Sequence, residues 1–511
     1  MKRYYIILLL CFVGKVSFSQ TDGQLDSTFG NNGVCVSNFI NGYSGITSMG
    51  IDPQHNIIIT SNKSAIKINE NGVMDTTFAV QGIYTFDFGD EINSCSSLLV
   101  QPDGKIILGG YSGNPGNITP ILGGTFKGAV VRLHSNGMID STFGINGKYV
   151  FNPYPDQCNI MTMAIQTDGK IIAAGAYANV VNGNIISAPI FATRINSNGT
   201  LDSSFSNNGI FKAYADSFYW SDQVNSCAIA ANGKIILGFT TTQSTASNQV
   251  FGLMRLTENG LLDQSFGQNG IVKTDIQNVN NDILKVVKVH QNGKILSAGS
   301  TKNSKMMVIC RYNVDGSLDT TFALLGIDTL DISFGNDGIN DICVLDDGKY
   351  LAVGQSNGKG CLIRINPFGK IDSTFHQNGI LLHGNSSGEV FINAALTSPN
   401  QLVAGGILKD SNNLPQLGVA AYDFNLFSGI QEAGAKQDAA SIYPNPSRNS
   451  IQFKQAPASF RMSVCDLTGK LLAQKPMQAS DSYDVSALQE GLYFIKLQTT
   501  EATQVIKFLK Q

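Results

Sequence analysis

The sequence predicts an all-β fold: a seven-bladed β-propeller followed by a small C-terminal immunoglobulin-like β-sandwich. A phrase of about twelve residues recurs seven times, an Asp-Gly or Asn-Gly turn separates two apolar runs between successive copies, and no helical periodicity runs between them. The 511 residues exceed the ~100–200 residues of one ordinary domain, and repetition accounts for that length.

Composition narrows the class of protein. Hydrophobic residues make up 42% and charged residues 14%, which is too little charge for a disordered chain or a long coiled coil. The net charge of −3, without a basic cluster, disfavours nucleic acid as a partner. The 53 glycines indicate many turns.

The first nineteen residues have the pattern of a signal peptide. Lys2 and Arg3 form a basic start, Tyr4 to Val13 is an apolar run, and Ser17-Phe18-Ser19 offers a cleavage site between small residues. The alternative is a buried N-terminal strand. The run is shorter than the ~20 residues of a spanning helix, and no later segment is long and apolar enough to be one.

The recurring phrase is N-G-x-x-D-[ST]-[ST]-F-x-x-x-G, with variation. Its aspartates are Asp26, Asp75, Asp140, Asp202, Asp263, Asp319 and Asp372, and its phenylalanines are Phe29, Phe78, Phe143, Phe205, Phe266, Phe322 and Phe375. An aspartate followed by Ser or Thr is expected to hydrogen-bond its own turn. Calcium binding, the alternative, requires several oxygen ligands at closer spacing.

Four strands are predicted for each repeat. The runs 160–165 and 170–175, for example, flank the turn at Gly169, where both turn residues are expected to have positive φ. A third strand carries a basic residue, and a fourth follows the last glycine of the phrase. The basic residues are Lys67, Arg132, Arg194, Arg255, Arg311 and Arg364, with Asp423 at this position in the seventh repeat.

Each arginine lies eight residues before an aspartate of the phrase, so we expect a bidentate Arg–Asp pair within each repeat. The alternative is a ring of positive charge that binds an anion. Short four-stranded sheets bury their faces when stacked radially, with the phrase phenylalanines between them. Closure would pair residues 33–39 with residues 403–424 and remove exposed edges. An open β-solenoid is the alternative.

Length varies mainly in one connection of the repeat. The phrase phenylalanine precedes the last glycine by four residues in all seven copies, whereas 12 to 28 residues separate the hairpin position from the basic position. That connection, between the second and third strands, includes residues 111–127, 177–188 and 240–248. Length-tolerant loops on one rim suit recognition, and unselected surface variation is the alternative. Their Gly, Asn, Ser and Thr content favours a neutral polar ligand such as a glycan.

No catalytic, cofactor-binding or metal-binding residue is predicted. The five histidines have no ligand spacing, and no nucleophile or phosphate-loop motif is present. A carboxylate pair for sugar hydrolysis, assembled from distant loops, stays open. The eight cysteines after residue 19 form no CxxC pair and lie mostly in apolar runs, which favours core packing over a disulfide framework.

The repeats stop near residue 424, so we predict a propeller over 22–427, a linker over 428–440 and a second domain over 441–511. Its predicted strands cover residues 451–454, 460–466, 470–474, 492–498 and 504–509. Residues 441–511 resemble the type A C-terminal sorting domain of the type IX secretion system of Bacteroidota. The residues that carry this resemblance are Tyr443, Pro444, Asn445, Pro446, Gly491, Tyr493, Lys507 and Lys510, together with the turn 466–470.

The phrase and its turns resemble the delta-60 repeat, a β-propeller family without a defined activity. Together the resemblances imply export through the periplasm to the outer cell surface or the medium, with the type IX secretion machinery as a partner. Three functions stay open: a module that binds a glycan or a protein through the variable rim, a glycan-active enzyme, and a structural or adhesive surface component. No cofactor is implied.

Overall fold

The computed structural model describes most of the chain. The residues outside the description are 1–21, 38–45, 115–124, 152–156, 182–183, 188, 216–221, 243–247, 277–280, 291, 302, 334, 377, 385–387, 411, 425–439, 446, 455, 466–470, 500–502 and 511. They include the predicted signal peptide, most of the predicted linker and Pro446. Contacts divide the chain into one unit over residues 1–426 and another over 427–511.

In its described residues, the first unit contains seven antiparallel sheets, which are the blades of the predicted propeller. Blade 1 comprises Ser48–Ile51, Ile57–Thr60, Ser64–Ile68 and Ile83–Thr85. Blade 2 comprises Ile92–Val100, Ile106–Asn114, Thr125–Leu133 and Lys148–Phe151. Blade 3 comprises Gln157–Ile165, Ile171–Val181, Ile190–Ile195 and Ile210–Ala213. Asn184–Ser187 adds a short strand that pairs with Ile171–Val181. Within each blade, neighbours in sequence pair with one another.

The next three blades repeat the same meander. Blade 4 comprises Gln223–Ile229, Ile235–Thr242, Gln249–Leu256 and Ile271–Thr274. Blade 5 comprises Ile283–Val289, Ile295–Thr301, Met306–Tyr312 and Ile327–Leu330. Blade 6 comprises Asp337–Val344, Tyr350–Ser356, Lys359–Ile365 and Ile380–His383. Their second and third strands are almost wholly buried, since both faces pack against neighbouring blades.

Blade 7 closes the ring with strands from both ends of the unit. Val390–Ser398, Gln401–Lys409 and Pro415–Asp423 come from the end, and Val34–Ser37 is the fourth strand. Gln24–Leu25 also pairs with Pro415–Asp423. The first strand of blade 7 contacts that of blade 1, so the circle is complete. The predicted closure through the N-terminal strand is confirmed, and the open solenoid is excluded.

The turn between the first and second strands differs from the prediction. Gly104 has a φ of +82°, whereas Asp103 is not among the residues with positive φ. The Gln101 carbonyl accepts a hydrogen bond from the Gly104 amide, and the Gln101 amide donates to the Lys105 carbonyl. This is a three-residue loop in which only the last residue is left-handed. The expected pair of positive φ values is therefore wrong at this turn.

The second unit is a two-sheet β-sandwich. One sheet orders Ser441–Tyr443, Ser450–Lys454 and Ser482–Asp484, and the other orders Leu471–Gln478, Ser459–Cys465, Gly491–Gln498 and Thr503–Lys510. Ile451 and Phe453 of the first sheet share a core with Val464, Ile495 and Phe508 of the second. The strands 441–443 and 482–484 were not predicted, because three residues are too few to show an alternating pattern.

Candidate functional site

The phrase aspartate and the basic residue meet in blades 2 to 6. In blade 2, Arg132 Nε donates to Asp140 Oδ2 at 2.8 Å, while Asp140 Oδ1 accepts from the Thr142 hydroxyl at 2.6 Å. The same Arg–Asp contact joins Arg194 to Asp202, Arg255 to Asp263, Arg311 to Asp319 and Arg364 to Asp372, at 2.7–2.9 Å. These ion pairs are buried and fixed by hydrogen bonds.

The expected bidentate geometry is wrong, because the guanidinium divides its donors among three partners. In blade 3, Nε of Arg194 binds Asp202, one terminal nitrogen donates to the Glu258 carbonyl of blade 4 at 2.7 Å, and the other donates to the Ser204 hydroxyl. Each arginine therefore ties its own blade to the next one. Each also lies over the phenylalanine of its own phrase, at 4.5–5.0 Å from the ring centroid.

The sequence interpretation missed a lysine at each cluster. The lysine that follows the turn glycine contacts the same aspartate, as Lys170 does with Asp202 at 3.0 Å. The equivalent pairs are Lys105–Asp140, Lys234–Asp263, Lys294–Asp319 and Lys349–Asp372. The signal was available, since a lysine follows the glycine in all five of these turns.

These contacts change the titration of the phrase aspartates. Burial alone would raise the pKa of Asp372, but hydrogen bonds from Thr374 and Lys349 and the charge of Arg364 lower it to about 2. The pKa values of Asp140, Asp202, Asp263 and Asp319 are held well below their usual range by the same kinds of contact. Every charge in these clusters already has a partner, so the clusters join blades and leave no group for an anion.

The phrase phenylalanines also join blades. All seven are buried, and each packs against the turn glycine of the following phrase. A Cβ added to Gly260 would lie 2.6 Å from the Phe205 ring, which explains why glycine stands there. The residue after each phenylalanine donates its amide to the same neighbouring turn, as Ser206 does to the Asn259 carbonyl at 2.7 Å.

Blades 1 and 7 depart from this cluster, as their sequences indicated. Lys67 pairs with Asp52 at 2.8 Å instead of with Asp75. In blade 7, Gln401 takes the place of the turn lysine and donates to Asp26 at 2.7 Å. Ala421 occupies the arginine position there, since its carbonyl accepts from the Asp26 amide as the Arg132 carbonyl accepts from the Asp140 amide. The assignment of Asp423 to that position was wrong by two residues.

The variable connections lie on the rim opposite these clusters, because neighbouring strands are antiparallel. The first and second strands of blades 1 to 6 are joined by five residues each, namely 52–56, 101–105, 166–170, 230–234, 290–294 and 345–349. The second and third strands are joined by segments that range from 357–358 in blade 6 to 115–124 in blade 2. The predicted segregation of length variation to one rim therefore agrees with the strand bounds.

A second column of acids, which the sequence interpretation missed, lies at the start of the first strands on the variable rim. Asp222 accepts from the Ala215 amide, at the exit of blade 3, and from the Thr241 hydroxyl of its own blade. Asp282 and Asp337 hold the next two joints through the amides of Ile276 and Ile332. The sequence signal is their constant place, eleven residues before the turn glycine in blades 4 to 6.

The central channel is lined by the first strands of all seven blades and encloses a cavity of about 620 Å³. Six of these strands carry a register shift at the same position, as between Leu284 and Val286 of blade 5. Among the described residues, Asp341 is the one carboxylate on the wall, where it pairs with Lys288 at 2.9 Å, and none of the described residues that line the cavity is aromatic.

In the second unit, the residues of the sorting resemblance lie on three segments: residues 443–445, the start of the strand Gly491–Gln498 and the last strand, Thr503–Lys510. Asn445 Oδ1 accepts from the Leu509 amide at 2.9 Å, and Ser447 donates its amide to the Leu509 carbonyl. Tyr493 is buried and donates its hydroxyl to the Gln489 carbonyl at 2.8 Å. Tyr443 and Pro444 directly precede Asn445, and Gly491 is the first residue of the strand Gly491–Gln498. Lys507 and Lys510 lie on the last strand.

The described residues contain no group of three His, Cys, Asp or Glu side chains placed to hold a metal ion. Their eight cysteines are all unpaired. No helix long and apolar enough to cross a membrane occurs in this part of the chain.

Comparisons with known families agree with both resemblances. Residues 441–511 match the family described as "Secretion system C-terminal sorting domain". Residues 101–143, 166–205, 230–266 and 290–322 match the family described as "Domain of unknown function (DUF5122) beta-propeller". No curated protein matches the sequence.

Solved structures with a similar fold are distant. A protein of unknown function from Bacteroides caccae is 14% identical, over 66% of this chain and 96% of its own, with a TM-score of 0.36. One from Dyadobacter fermentans DSM 18053 is 11% identical, over 77% and 98%, with a TM-score of 0.40. PorZ, a surface component of the type IX secretion system of Porphyromonas gingivalis, is 10% identical, over 91% and 81%, with a TM-score of 0.25. These sequence identities and TM-scores are too low to indicate a function.

Proposed function

We propose that this chain, a β-propeller exported by the type IX secretion system through its C-terminal sorting domain, binds a glycan outside the cell through its variable rim. The observation that carries the proposal is the difference between the rims. In blades 1 to 6, the connections between first and second strands have five residues each, and their rim holds the ion-pair clusters. Connections between second and third strands, on the other rim, differ in length from blade to blade. Recognition commonly resides in variable loops on a rigid scaffold.

The polarity of the described surface favours a glycan over a protein partner at this rim. Among the described residues, most exposed large apolar side chains of the propeller belong to the phrase turns of the opposite rim: Val73, Val80, Met138, Ile139, Ile145, Leu261, Val314, Leu324, Leu325 and Phe368. Protein interfaces usually bury apolar and aromatic side chains at their centre. A rim of Asn, Ser, Thr and Gly suits the hydroxyl groups of a sugar instead.

The channel gives no support to the alternative of glycan hydrolysis. Hydrolases of the common kind use two carboxyl groups that flank the scissile bond. The described channel wall has one, Asp341, and that carboxylate accepts hydrogen bonds from Lys288 and from the Ala394 amide. The structural or adhesive alternative has no observation of its own in its favour.

The test is a glycan array probed with the full chain and with a variant that loses one rim connection. Replacing residues 115–124 by Asn-Gly copies the two-residue turn of blade 6, where Asn357 and Gly358 have φ of 48° and 74°. The register is preserved, because Asn114 pairs with Thr125 as Ser356 pairs with Lys359. Pro102→Thr is the matched control, since it gives the opposite rim the turn sequence of blade 3.

We expect the parent and the control to bind the same glycan, and the shortened variant to bind it at least about tenfold more weakly. Equal binding by all three proteins, or no glycan binding by the parent, would contradict the proposal. Product release in a parallel hydrolysis assay would favour the enzyme.

A further inference from the structure

We propose that the central channel holds a small hydroxylated carboxylate, such as a hexuronate, with Lys285 as its charge partner. This site is separate from the variable rim, so binding in the channel does not depend on glycan binding at the rim. Such a ligand is favoured by one ammonium group, the fixed amides around it and the size of the cavity.

Lys285 is the extra residue of the register shift in the first strand of blade 5. The Leu284–Gly299 and Val286–Ala298 pairs leave it unmatched in the ladder. It lines the channel cavity and remains solvent-accessible. A bulge re-aims a side chain without ending the strand, which is how this lysine comes to line the cavity of a closely packed ring.

The channel has one positive charge that its own wall does not neutralise. Lys288, three residues further along the same strand, pairs with Asp341 at 2.9 Å. Burial alone would lower the pKa of Lys288, but Asp341 raises it. No described residue forms an ion pair or hydrogen bond with the Lys285 ammonium, and burial lowers the pKa of that group. A bound anion would supply the counter-charge that the described channel wall does not give to Lys285.

Amide side chains stand at the same bulge position on both neighbouring blades. Asn225 of blade 4 donates Nδ2 to the Leu284 carbonyl at 2.7 Å, and Asn340 of blade 6 donates to the Phe391 carbonyl at 2.7 Å. Each amide is thus fixed to the next blade. The second N–H of Asn225 is directed at the Thr240 hydroxyl at 3.4 Å, whereas no described contact uses the second N–H of Asn340 or the side-chain oxygen of either asparagine.

These groups match the chemistry of a hydroxy acid. One ammonium neutralises one carboxylate, whereas phosphate at neutral pH carries more charge and is usually held by arginines or several backbone amides. A hydroxyl group donates to an amide oxygen and accepts from an amide N–H, so the side chains of Asn225 and Asn340 suit a hydroxylated ligand. A cavity of about 620 Å³ falls in the range of small-molecule sites, so it has room for a single sugar acid.

The experiment measures binding of D-glucuronate to the full chain by isothermal titration, with D-glucose, acetate and inorganic phosphate as comparison probes. Lys285→Met removes the charge and introduces the residue that already occupies the equivalent bulge of blade 3, Met161. Lys305→Met is the matched control, because it removes the same charge from an exposed lysine of the same blade outside the channel.

We expect glucuronate to bind the parent and the Lys305→Met protein within about twofold of each other, and Lys285→Met to bind at least about tenfold more weakly. Acetate should bind more weakly than glucuronate, and glucose should not compete. Equal binding to the parent and to Lys285→Met, tighter binding of phosphate, or no glucuronate binding by the parent would overturn the proposal.

A measurement on the parent protein covers the case in which Lys285→Met fails to fold. Acetylation of lysines by an activated ester, followed by mass spectrometry of peptides, reports the accessibility of each amine. Glucuronate should slow acetylation of Lys285 and leave Lys305 unchanged, and glucose should protect neither. Protection of both lysines to the same extent, or of neither, would overturn the proposal.

Discussion

The buried ion pair within each cluster predicts a large difference between two chemically identical substitutions. Asp319 of blade 5 is 2% exposed and accepts from Arg311 Nε at 2.7 Å, from Lys294 and from the Thr321 hydroxyl. Asp75 holds the same phrase position in blade 1 but has no cation partner among the described residues, because Lys67 turns to Asp52. Replacing each by asparagine therefore isolates the contribution of the ion pair.

Asp319→Asn should lower the free energy of unfolding by about 3 kcal/mol, because it leaves Arg311 buried without a counter-ion. Lys294 adds little to that figure, since its side chain is 28% exposed and can turn to water. Asparagine keeps an oxygen that accepts from the amide and hydroxyl of Thr321, so the turn itself survives. Asp75→Asn should cost within about 0.5 kcal/mol.

Urea unfolding followed by circular dichroism measures both values, provided that the slope m is unchanged. Burial alone would raise the pKa of Asp319, but its hydrogen bonds hold that pKa well below its usual range. Its contribution is thus present above about pH 4 and is lost as the pH falls through the folded-state pKa, so the difference from Asp319→Asn should shrink in acid. Equal costs for the two substitutions at pH 7 would refute the stabilisation assigned to the buried ion pair.

Three further predictions concern other parts of the molecule. Gly260→Ala should destabilise the propeller by clearly more than the ~1 kcal/mol expected for Gly104→Ala. Both glycines have φ near +80°, but only Gly260 lies against the phenylalanine ring of a neighbouring blade. Equal urea midpoints for the two variants would count against this prediction. Burial raises the pKa of Asp282 to about 6. The wild type should therefore gain stability relative to Asp282→Asn as the pH falls from 7 to 4, which thermal unfolding at several pH values measures. A stability difference between the two proteins that stays constant with pH would contradict this prediction. Deleting residues 441–511 should retain the propeller in the periplasm of the producing cell, as fractionation and immunoblotting would detect, whereas a deleted chain found outside the cell would contradict that role.

Much of the propeller could be predicted because its units repeat. The seven copies of the phrase fixed the number of blades, and the turn glycines marked where strands reverse. The eight-residue separation of arginine and aspartate correctly placed the two side chains in contact, since the chain reverses between them. Local geometry of this kind is encoded in short segments, so it is accessible to pattern analysis.

The details of the clusters were less accessible. The lysine partner lies on a different hairpin from the arginine, and the third acceptor of each guanidinium lies on the next blade. The exchange of partners in blade 1 depends on Asp52, which replaces residues such as Gln101 at the start of the turn. Such contacts require the relative position of whole strands, which periodicity does not specify.

The sequence alone determined the repeating four-stranded unit, its number, the rim on which length varies and the exported character of the chain, because each of these is written in local, repeated segments. Only the tertiary structure decided which distant residues meet. Ring closure joins Arg364 to Asp22, and radial packing brings Lys285, Asp341 and Asn393 from three blades to one channel. The physical reason is twofold: the circle places all first strands around one axis, and a one-residue bulge inverts the alternation of faces on which sequence patterns depend.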